Sequence, residues 1–388
     1  MSKTIFLLLC FLSSVTFADN ETIEKETAEV NLERAFAAIS VGEVQKAKSI
    51  LVDTLEHHPN FHLARMVYAD LIAAQAQHSP LLADPVAQNK ARIAGLAEEA
   101  TARLMQQPPK SNELPANIVQ VSQNHQHLLL FDAEYSRLYV FENHQGRPHL
   151  IADYYASAGK DGMNKEREGD NRTPSGVYKI THTLDDDQLP ELYGIGAYVL
   201  NYPNRWDQTL RRSGSGIWLH GVPRITYSRP PETSRGCVVS SNSVMQWLKD
   251  NIDPAQTPVV LANRVDWLDT VSWEAHRKQL LSMIEQWQSD WQSLDVERYL
   301  AHYSEEYQDA KLNYQQMLKQ TRRNAKKKTF VKVAIKEIDL FRYSTKPERY
   351  TVHFDQDYKS NNYNIAYRKK QIWQREDGEW KIIFEGRV

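Results

Sequence analysis

The spacing of apolar residues changes twice along this 388-residue chain, and these changes constrain the fold more than any other feature. In the first quarter, residues such as Leu32, Phe36 and Ile39 recur at helical spacing. The middle of the chain has short apolar runs separated by turn residues, which is typical of strands. A long helical pattern begins near Trp267, and alternation returns beyond Phe330. The sequence therefore predicts a multidomain α+β fold.

The prolines from Pro108 to Pro115 mark the first change and predict a linker without helix or strand pairing. A length of 388 residues also suggests two or three domains. The predicted divisions are a signal peptide at 1–18, the helical region at 19–107, a linker at 108–116, the central domain at 117–264 and the cone at 268–388.

The first 18 residues have the pattern of an export signal. Lys3 supplies a basic start, an apolar run follows, and Ala18 is a small residue at the predicted cleavage site. The apolar run is too short to span a bilayer, and we expect no stable membrane span after cleavage. Lipid attachment at Cys10 is the alternative, but Leu9 stands where a small residue is needed. We expect a soluble exported protein.

The helical region resembles a tetratricopeptide unit because Gly42 and Pro59 interrupt its helices and small residues such as Ala47 and Ala64 permit close packing. One unit is less than a stable array. Two interpretations remain open: a bundle that packs on its neighbour, and a module that binds an envelope protein partner. The net charge of −2 argues against a nucleic-acid partner, since such proteins usually carry a basic excess.

Cys237 is the most informative single residue for function. The only other cysteine is Cys10, which lies in the predicted signal peptide, so no disulfide is expected within a mature chain. An unpaired thiol in an exported protein is open to oxidation, and its presence calls for a reason. Nucleophilic catalysis supplies one.

The surroundings of Cys237 fit that role. His220 lies 17 positions earlier, after a short apolar run, and is the candidate base. Gly236 clears space beside the sulfur for a substrate carbonyl and its oxyanion, and Gly221 lets the chain turn away after His220. Ser234 is a candidate to hold the imidazole or the loop by a hydrogen bond. Arg235 is a candidate to bind a carboxylate.

The pairing of His220-Gly221 with Ser234-Arg235-Gly236-Cys237 resembles the YkuD-type L,D-transpeptidase signature. The resemblance continues through 159–160, 169–178 and 201–204 and covers roughly residues 117–263. Many family members have His at the position of Arg235, and Arg or Asn shortly after the cysteine, where this chain has Val238-Val239-Ser240. That departure puts the acceptor preference in doubt. Within the resembling segment, Arg172 and Tyr202 are candidates for substrate binding or for a structural role.

The resemblance implies peptidoglycan chemistry in the periplasm. Cys237 would attack a stem tetrapeptide at the carbonyl of its L-centre, expel D-alanine and form a thioester. An amine acceptor then gives L,D-transpeptidation, whereas water gives L,D-carboxypeptidase activity. A non-catalytic wall-binding scaffold is a further alternative. Several histidines, among them His125, His127, His144 and His149, crowd one region without metal-ligand spacing, and we expect no metal and no cofactor.

The cone carries its own pattern. Helices are followed by alternating strands, and Asp377-Gly378 predicts a hairpin turn between the last two. Helices before an antiparallel meander suggest a sheet that wraps a helix. The pattern resembles the nuclear-transport-factor-two-like (SnoaL-like) fold. Such folds include enzymes and binding proteins, so the fold alone does not assign a function to this part.

Overall fold

The computed structural model describes residues 20–75, 90–104 and 109–388. Its helices, in chain order, are α1 Asn20–Ser40, α2 Val44–His57, α3 His62–Gln75, α4 Lys90–Leu104, α5 Arg205–Thr209, α6 Asn242–Asn251, α7 Thr270–Gln292, α8 Val296–Leu300 and α9 Tyr314–Ala325. Its strands are β1 Glu113–Pro115, β2 Ile118–Gln120, β3 His127–Asp132, β4 Arg137–His144, β5 Arg147–Gly159, β6 Gly176–Asp185, β7 Gly196–Leu200, β8 Trp218–His220, β9 Glu232–Ser234, β10 Val238–Ser240, β11 Pro258–Ala262, β12 Trp267–Asp269, β13 Val331–Tyr343, β14 Arg349–Ser360, β15 Asn364–Glu376 and β16 Glu379–Arg387. The predicted mixed α+β architecture is confirmed.

The helical region is a bundle in its described part. Helix α1 contacts α2 and α4, and α3 contacts the same two helices. Their shared core includes Leu32, Leu51 and Phe61, all fully buried. Gly42 has a φ of 78° in the turn between α1 and α2, which glycine adopts at low cost. The predicted signal peptide at 1–18 lies outside the described residues.

A buried charge cluster joins the bundle to the central domain. The side chain of Arg103 is only 1% exposed and pairs with Glu99 at 3.0 Å, with Glu29 at 3.2 Å and with Glu33. Its guanidinium also lies 4.2 Å from the ring centre of Tyr155 in the central domain. Burial raises the pKa of Glu29 to about 7. This interface depends on the charge of Arg103, because its removal would leave buried carboxyl groups unpaired.

The predicted linker differs in part from the structure. Strand β1 pairs antiparallel with β12, and β2 joins the sheet of the cone by pairing with β13. The expectation that residues 113–115 form no strand pairing was wrong, because a proline at a strand end loses only its N–H donor and keeps its carbonyl. The Pro115 carbonyl accepts a hydrogen bond from Trp273 Nε1 at 3.3 Å. This segment forms part of the contact between the central domain and the cone.

The central domain is built on a sheet that closes on itself. Its strand order is β10-β8-β7-β6-β11-β3-β4-β5-β9, and β10 also pairs with β5. The apolar runs at 127–131, 137–141, 149–158 and 258–261 predict strands, and β3, β4, β5 and β11 confirm them within a few residues. The spacing of apolar residues between 241 and 251 predicts a helix, and α6 confirms it. Ser241 is its N-cap, and Val244, Met245 and Leu248 pack into the core. The closure places β10 between β8 and β5.

The cone is a long antiparallel meander, β13 to β16, that packs against α7, α8 and α9. Trp287 on α7 and Trp373 on β15 are fully buried in its core. The predicted Asp377-Gly378 hairpin turn is confirmed, with positive φ at both residues.

Two local predictions for the cone differ from the structure. The pattern over 296–307 predicts one short helix, but α8 ends at Leu300 and turns follow it. The basic residues Arg322-Arg323 and Lys326-Lys327-Lys328 predict a solvated loop, but Arg322 lies in the last turn of α9 and pairs with Glu297 at 2.8 Å. Among the residues in the three described ranges, no helix is long and apolar enough to cross a membrane.

Candidate active site

Two neighbouring strands bring the candidate base and nucleophile together. Strand β8 ends at His220, and β10 starts directly after Cys237. The two strands pair in parallel, with Val238 opposite Leu219 and Val239 opposite His220. The sulfur of Cys237 accepts a hydrogen bond from the backbone N–H of Trp218, two residues before His220. The 17-residue separation in sequence is thus closed by strand pairing.

His220 is set up as a neutral base. Its side chain is buried, with the residue 3% exposed, and burial lowers its pKa to about 4. Nδ1 lies 2.6 Å from the carbonyl oxygen of Gly221. Because a carbonyl only accepts, Nδ1 carries the proton and donates it, which leaves Nε2 free to accept a proton. The Tyr193 ring packs edge-on at 4.9 Å and helps to hold the imidazole.

Cys237 rests as a thiol. Burial raises its pKa, although the Trp218 N–H and the charge of Arg229 oppose that effect. The thiol donates a hydrogen bond to the Gly216 carbonyl at 3.4 Å. Proton transfer therefore requires Sγ to turn from Gly216 toward His220 when substrate binds, and catalytic hydrogen bonds often tighten only at that stage.

Gly236 occupies a position that only glycine fits. Its φ is 120°, and an added Cβ would lie 2.6 Å from the carbonyl oxygen of Arg172. Its N–H donates to Ser234 Oγ at 3.0 Å, and Ser234 Oγ donates to the Cys237 carbonyl at 2.6 Å. Ser234 thus holds the nucleophile loop rather than the imidazole. The Gly236 N–H is engaged within this loop and must change partner to bind an oxyanion.

Gly221 is required by close packing. A Cβ at this position would lie 2.2 Å from Oδ1 of Asn242. That oxygen accepts a hydrogen bond from the Val222 N–H at 3.1 Å, and Asn242 Nδ2 donates to the Val222 carbonyl at 2.9 Å. Asn242, the first residue of α6, thus fixes the chain immediately after His220. Gly221 orients the base through this contact and through its own carbonyl.

The three candidate substrate-binding residues lie in different environments. Arg235 is exposed beside the nucleophile loop. Arg172 is also exposed, and its Nη1 donates to the Met163 carbonyl at 3.0 Å. Tyr202 is only 5% exposed, and its hydroxyl donates to the Ser213 carbonyl at 3.3 Å. A substrate can reach the two arginines, whereas Tyr202 supports the loop at 213 from within the core.

Arg229 is a site residue that sequence reasoning missed. Its charge acts on both Cys237 and His220, lowering the pKa of each. Its Nη2 donates to the Thr233 carbonyl at 3.2 Å, and it has no carboxylate partner in the part of the chain that the structure describes. The only signal in the sequence is its position between His220 and Cys237. An unpaired guanidinium there can bind a substrate carboxylate.

The loop that carries Arg229 is held by the helical region. Tyr227 stacks on Phe61 with ring centres 4.3 Å apart, and its hydroxyl lies 3.2 Å from His58 Nδ1. Glu99 on α4 forms a hydrogen bond with Ser228. The bundle thus contacts the connection between base and nucleophile. Its expected role in binding an envelope partner stays a prediction.

For a metal ion, three or more suitable side chains would have to converge. Within residues 20–75, 90–104 and 109–388, no such group of His, Cys, Asp or Glu is present. The expectation of no cofactor stays a prediction.

Two family models match the chain. Residues 122–261 match the YkuD L,D-transpeptidase catalytic domain, and residues 279–386 match the Cds6 C-terminal NTF2-like domain. Both resemblances predicted from the sequence are confirmed. The central domain is of the L,D-transpeptidase type, a peptidoglycan-related family, and the cone is NTF2-like. None of the curated proteins matches the chain.

Solved structures are similar to most of this chain. Bd1075 of Bdellovibrio bacteriovorus is 29% identical, with a TM-score of 0.62 over 71% of this chain and 98% of that one. Pgp2 of Campylobacter jejuni, described as a helical cell shape determining protein, is 21% identical, with a TM-score of 0.59 over 74% of this chain and 99% of that one. A variant of Pgp2 gives a TM-score of 0.60 at the same identity, over 74% of this chain and 97% of that one. At 21% identity, the likeness shows the fold alone.

Proposed function

We propose that this chain, with its central domain of the YkuD type, is an exported cysteine L,D-transpeptidase that acts on peptidoglycan stem tetrapeptides in the periplasm. The observation that carries the proposal is the pairing of β8 with β10, which places Cys237 beside the strand that ends in a neutral His220. Peptidoglycan lies outside the cytoplasmic membrane, which agrees with the export signal predicted at 1–18.

Acylation begins when Nε2 of His220 takes the thiol proton and Sγ of Cys237 attacks the L-centre carbonyl of the tetrapeptide. The tetrahedral intermediate carries an oxyanion, for which a backbone N–H of the nucleophile loop is the candidate donor. When the C–N bond breaks, the imidazolium returns its proton to the leaving amine. The products are free D-alanine and a thioester at Cys237.

Deacylation reverses the roles. An amine acceptor loses a proton to His220, attacks the thioester and restores the thiol, which gives a cross-link or an exchanged D-amino acid. Water in place of the amine gives a tripeptide carboxylate. Residues Val238-Val239-Ser240, which depart from the family pattern, lie directly after the nucleophile, so the acceptor is best identified from the products.

Arg229 is suited to bind the carboxylate of the terminal D-alanine. It is the uncompensated cation that acts on both catalytic groups, and the substrate ends in a carboxylate one residue beyond the scissile bond. A bidentate contact would align the scissile bond with Sγ. We expect Arg229→Gln to raise KM for tetrapeptide more than it lowers kcat, because the anchor acts in the ground state as well.

The deciding experiment incubates the protein, Cys237→Ala and His220→Gln with disaccharide tetrapeptides and identifies the products by mass. We expect cross-linked dimers or exchanged D-amino acids from the wild type, none from Cys237→Ala, and a rate about 10²- to 10⁴-fold lower from His220→Gln. Tripeptide alone would assign the L,D-carboxypeptidase reaction instead. No product that depends on Cys237 would favour a non-catalytic wall-binding scaffold.

A further inference from the structure

A cavity lies between the central domain and the cone. Its volume is about 460 Å³, within the range of small-molecule sites. The central domain supplies one wall from the start of β6, the segment 201–208 and the turn at 254–256. The cone supplies the other wall from β13, β14, β15 and the end of β16. The cavity exists only because the two parts are packed together.

The lining of this cavity is strongly cationic. Asp339 is the one acidic side chain among its described lining residues, and it is already shared by Arg368 at 2.5 Å and His125 at 3.1 Å. The basic side chains that line it are Lys179, Arg205, Arg368, Lys370 and Arg387, with His125 and His353. Positive charge therefore exceeds negative charge in a partly enclosed space, which concentrates anions.

Lys370 is the most buried of these lysines and arginines, with 6% exposure. Its ammonium forms no direct hydrogen bond or ion pair with a described residue, and the negative charge that acts on it from a distance is that of Asp207, which pairs with Arg212 at 2.9 Å. The preceding residue makes an instructive contrast: Lys369 lines a different cavity, inside the cone, and pairs with Glu385 at 2.9 Å. Burial lowers the pKa of Lys370 to about 8. A buried ammonium without a partner is costly and is stabilised when an anion binds it.

The cavity also offers apolar surface. Val177 and Pro258 line it from the central domain, and Phe341 lines it from the cone. A site with convergent charge and apolar walls selects a molecule with both properties over a bare ion. We propose that this cavity binds a small organic anion, with Lys370 holding its carboxylate or phosphate group and the apolar side chains contacting its hydrocarbon part. This site is separate from Cys237 and does not depend on the proposed reaction.

The test uses three probes of one shape on the full chain: benzoate, phenyl phosphate and neutral phenol, titrated by calorimetry. We expect at least one anion to bind and phenol to bind more weakly. Lys370→Met should lower the affinity for that anion at least about tenfold, which is 1.4 kcal/mol. The exposed Lys332→Met on β13 is the matched control and should bind like the wild type. Preference for phenyl phosphate or benzoate identifies the headgroup.

Two further variants keep the result specific. Arg205→Gln replaces an exposed cation at the rim and should weaken binding about two- to threefold, which serves if Lys370→Met fails to fold. Arg229→Gln should leave binding unchanged, because Arg229 lies at the catalytic site. The proposal is overturned if neither anion binds at millimolar concentration, if Lys370→Met binds as well as the wild type, or if Arg229→Gln abolishes binding.

Discussion

The central domain meets its two neighbours through interfaces of different character. Toward the helical region, the buried cation Arg103 is matched by three carboxylates, and Tyr227 stacks on Phe61. Toward the cone, β2 pairs with β13 and Trp206 packs on Phe384. The cavity between these two parts is lined by Lys370, which forms no direct ion pair with a described residue. The buried cation of the first interface has carboxylate partners in direct contact, whereas the buried cation of the second has none among the described residues.

This difference fits the elements that each interface holds. The helical region contacts the loop between His220 and Cys237, where a small displacement would change catalytic geometry. The cone contacts the central domain at β6 and α5, and the described residues that line the cavity there do not include His220 or Cys237. Four substitutions, two at each interface, test the comparison from the largest expected effect to the smallest.

Arg103→Met should have the largest effect at the helical interface. It leaves Glu99 and Glu29 buried without their cation, and we expect a loss of about 3–5 kcal/mol in the free energy of unfolding. Urea denaturation measures it. Arg34→Met on the exposed face of α1 is the matched control and should change stability by less than about 0.5 kcal/mol. Equal effects in the two variants would contradict the role of Arg103.

Trp206→Ala tests the apolar contact with the cone. Trp206 is buried and packs with Phe384 at a ring-centre distance of 5.5 Å, in a cluster with Tyr343 and Ile372. Truncation should cost about 3 kcal/mol through lost burial and a residual cavity. Thermal unfolding measures the change, and activity below the transition should be retained. Loss of activity in the folded variant would show that the cone interface also controls the catalytic site.

Tyr227→Ala should lower the stability of the protein less than Trp206→Ala does, but it should lower the activity more. The stack on Phe61 contributes about 0.5–1.5 kcal/mol beyond area burial, and its loss frees the loop that carries Arg229. We expect kcat for the tetrapeptide reaction to fall about tenfold in a protein that remains folded. Tyr227→Phe keeps the ring and loses only the contact with His58, so it should retain most activity. Indistinguishable kinetics for the two variants would argue against the stack.

Lys370→Met should change the free energy of unfolding least of the four, and it should raise this free energy rather than lower it. Removing an unpaired buried charge is expected to stabilise the protein by about 1 kcal/mol near neutral pH. The folded-state pKa of about 8 lies below the ordinary 10.5, so the unfolded chain binds more protons between these values. The contribution of Lys370 to the free energy of unfolding of the wild type therefore rises as the pH rises from about 8 to 10.5. Lys370→Met should lack that rise. Parallel pH–stability curves would refute this assignment.

The sequence was sufficient for the elements whose signals are local. Helical spacing, the Asp377-Gly378 turn and the strands around 127–158 follow from residues close together in the chain, and all were predicted. The pairing of β2 with β13 of the cone was not predicted, because a strand of three residues gives no sign of a partner more than 200 positions away. The prediction of Cys237 and His220 rests on a motif, which names the residues but does not give their arrangement in space.

By itself, the sequence determined the division of the chain into helical and strand-rich parts, the candidate nucleophile and its candidate base. These follow from the spacing of apolar residues and from a motif, which are both properties of residues close together in the chain. Only the tertiary structure decided which charges are compensated. Lys369 and Lys370 are adjacent residues of the same type, yet Lys369 pairs with Glu385 and Lys370 lines the cavity between the central domain and the cone. Arg103 and Arg229 differ in the same way, since one is neutralised by three carboxylates and the other faces the catalytic pair. Compensation depends on which distant groups packing brings within a few ångströms, and that is set by the fold as a whole.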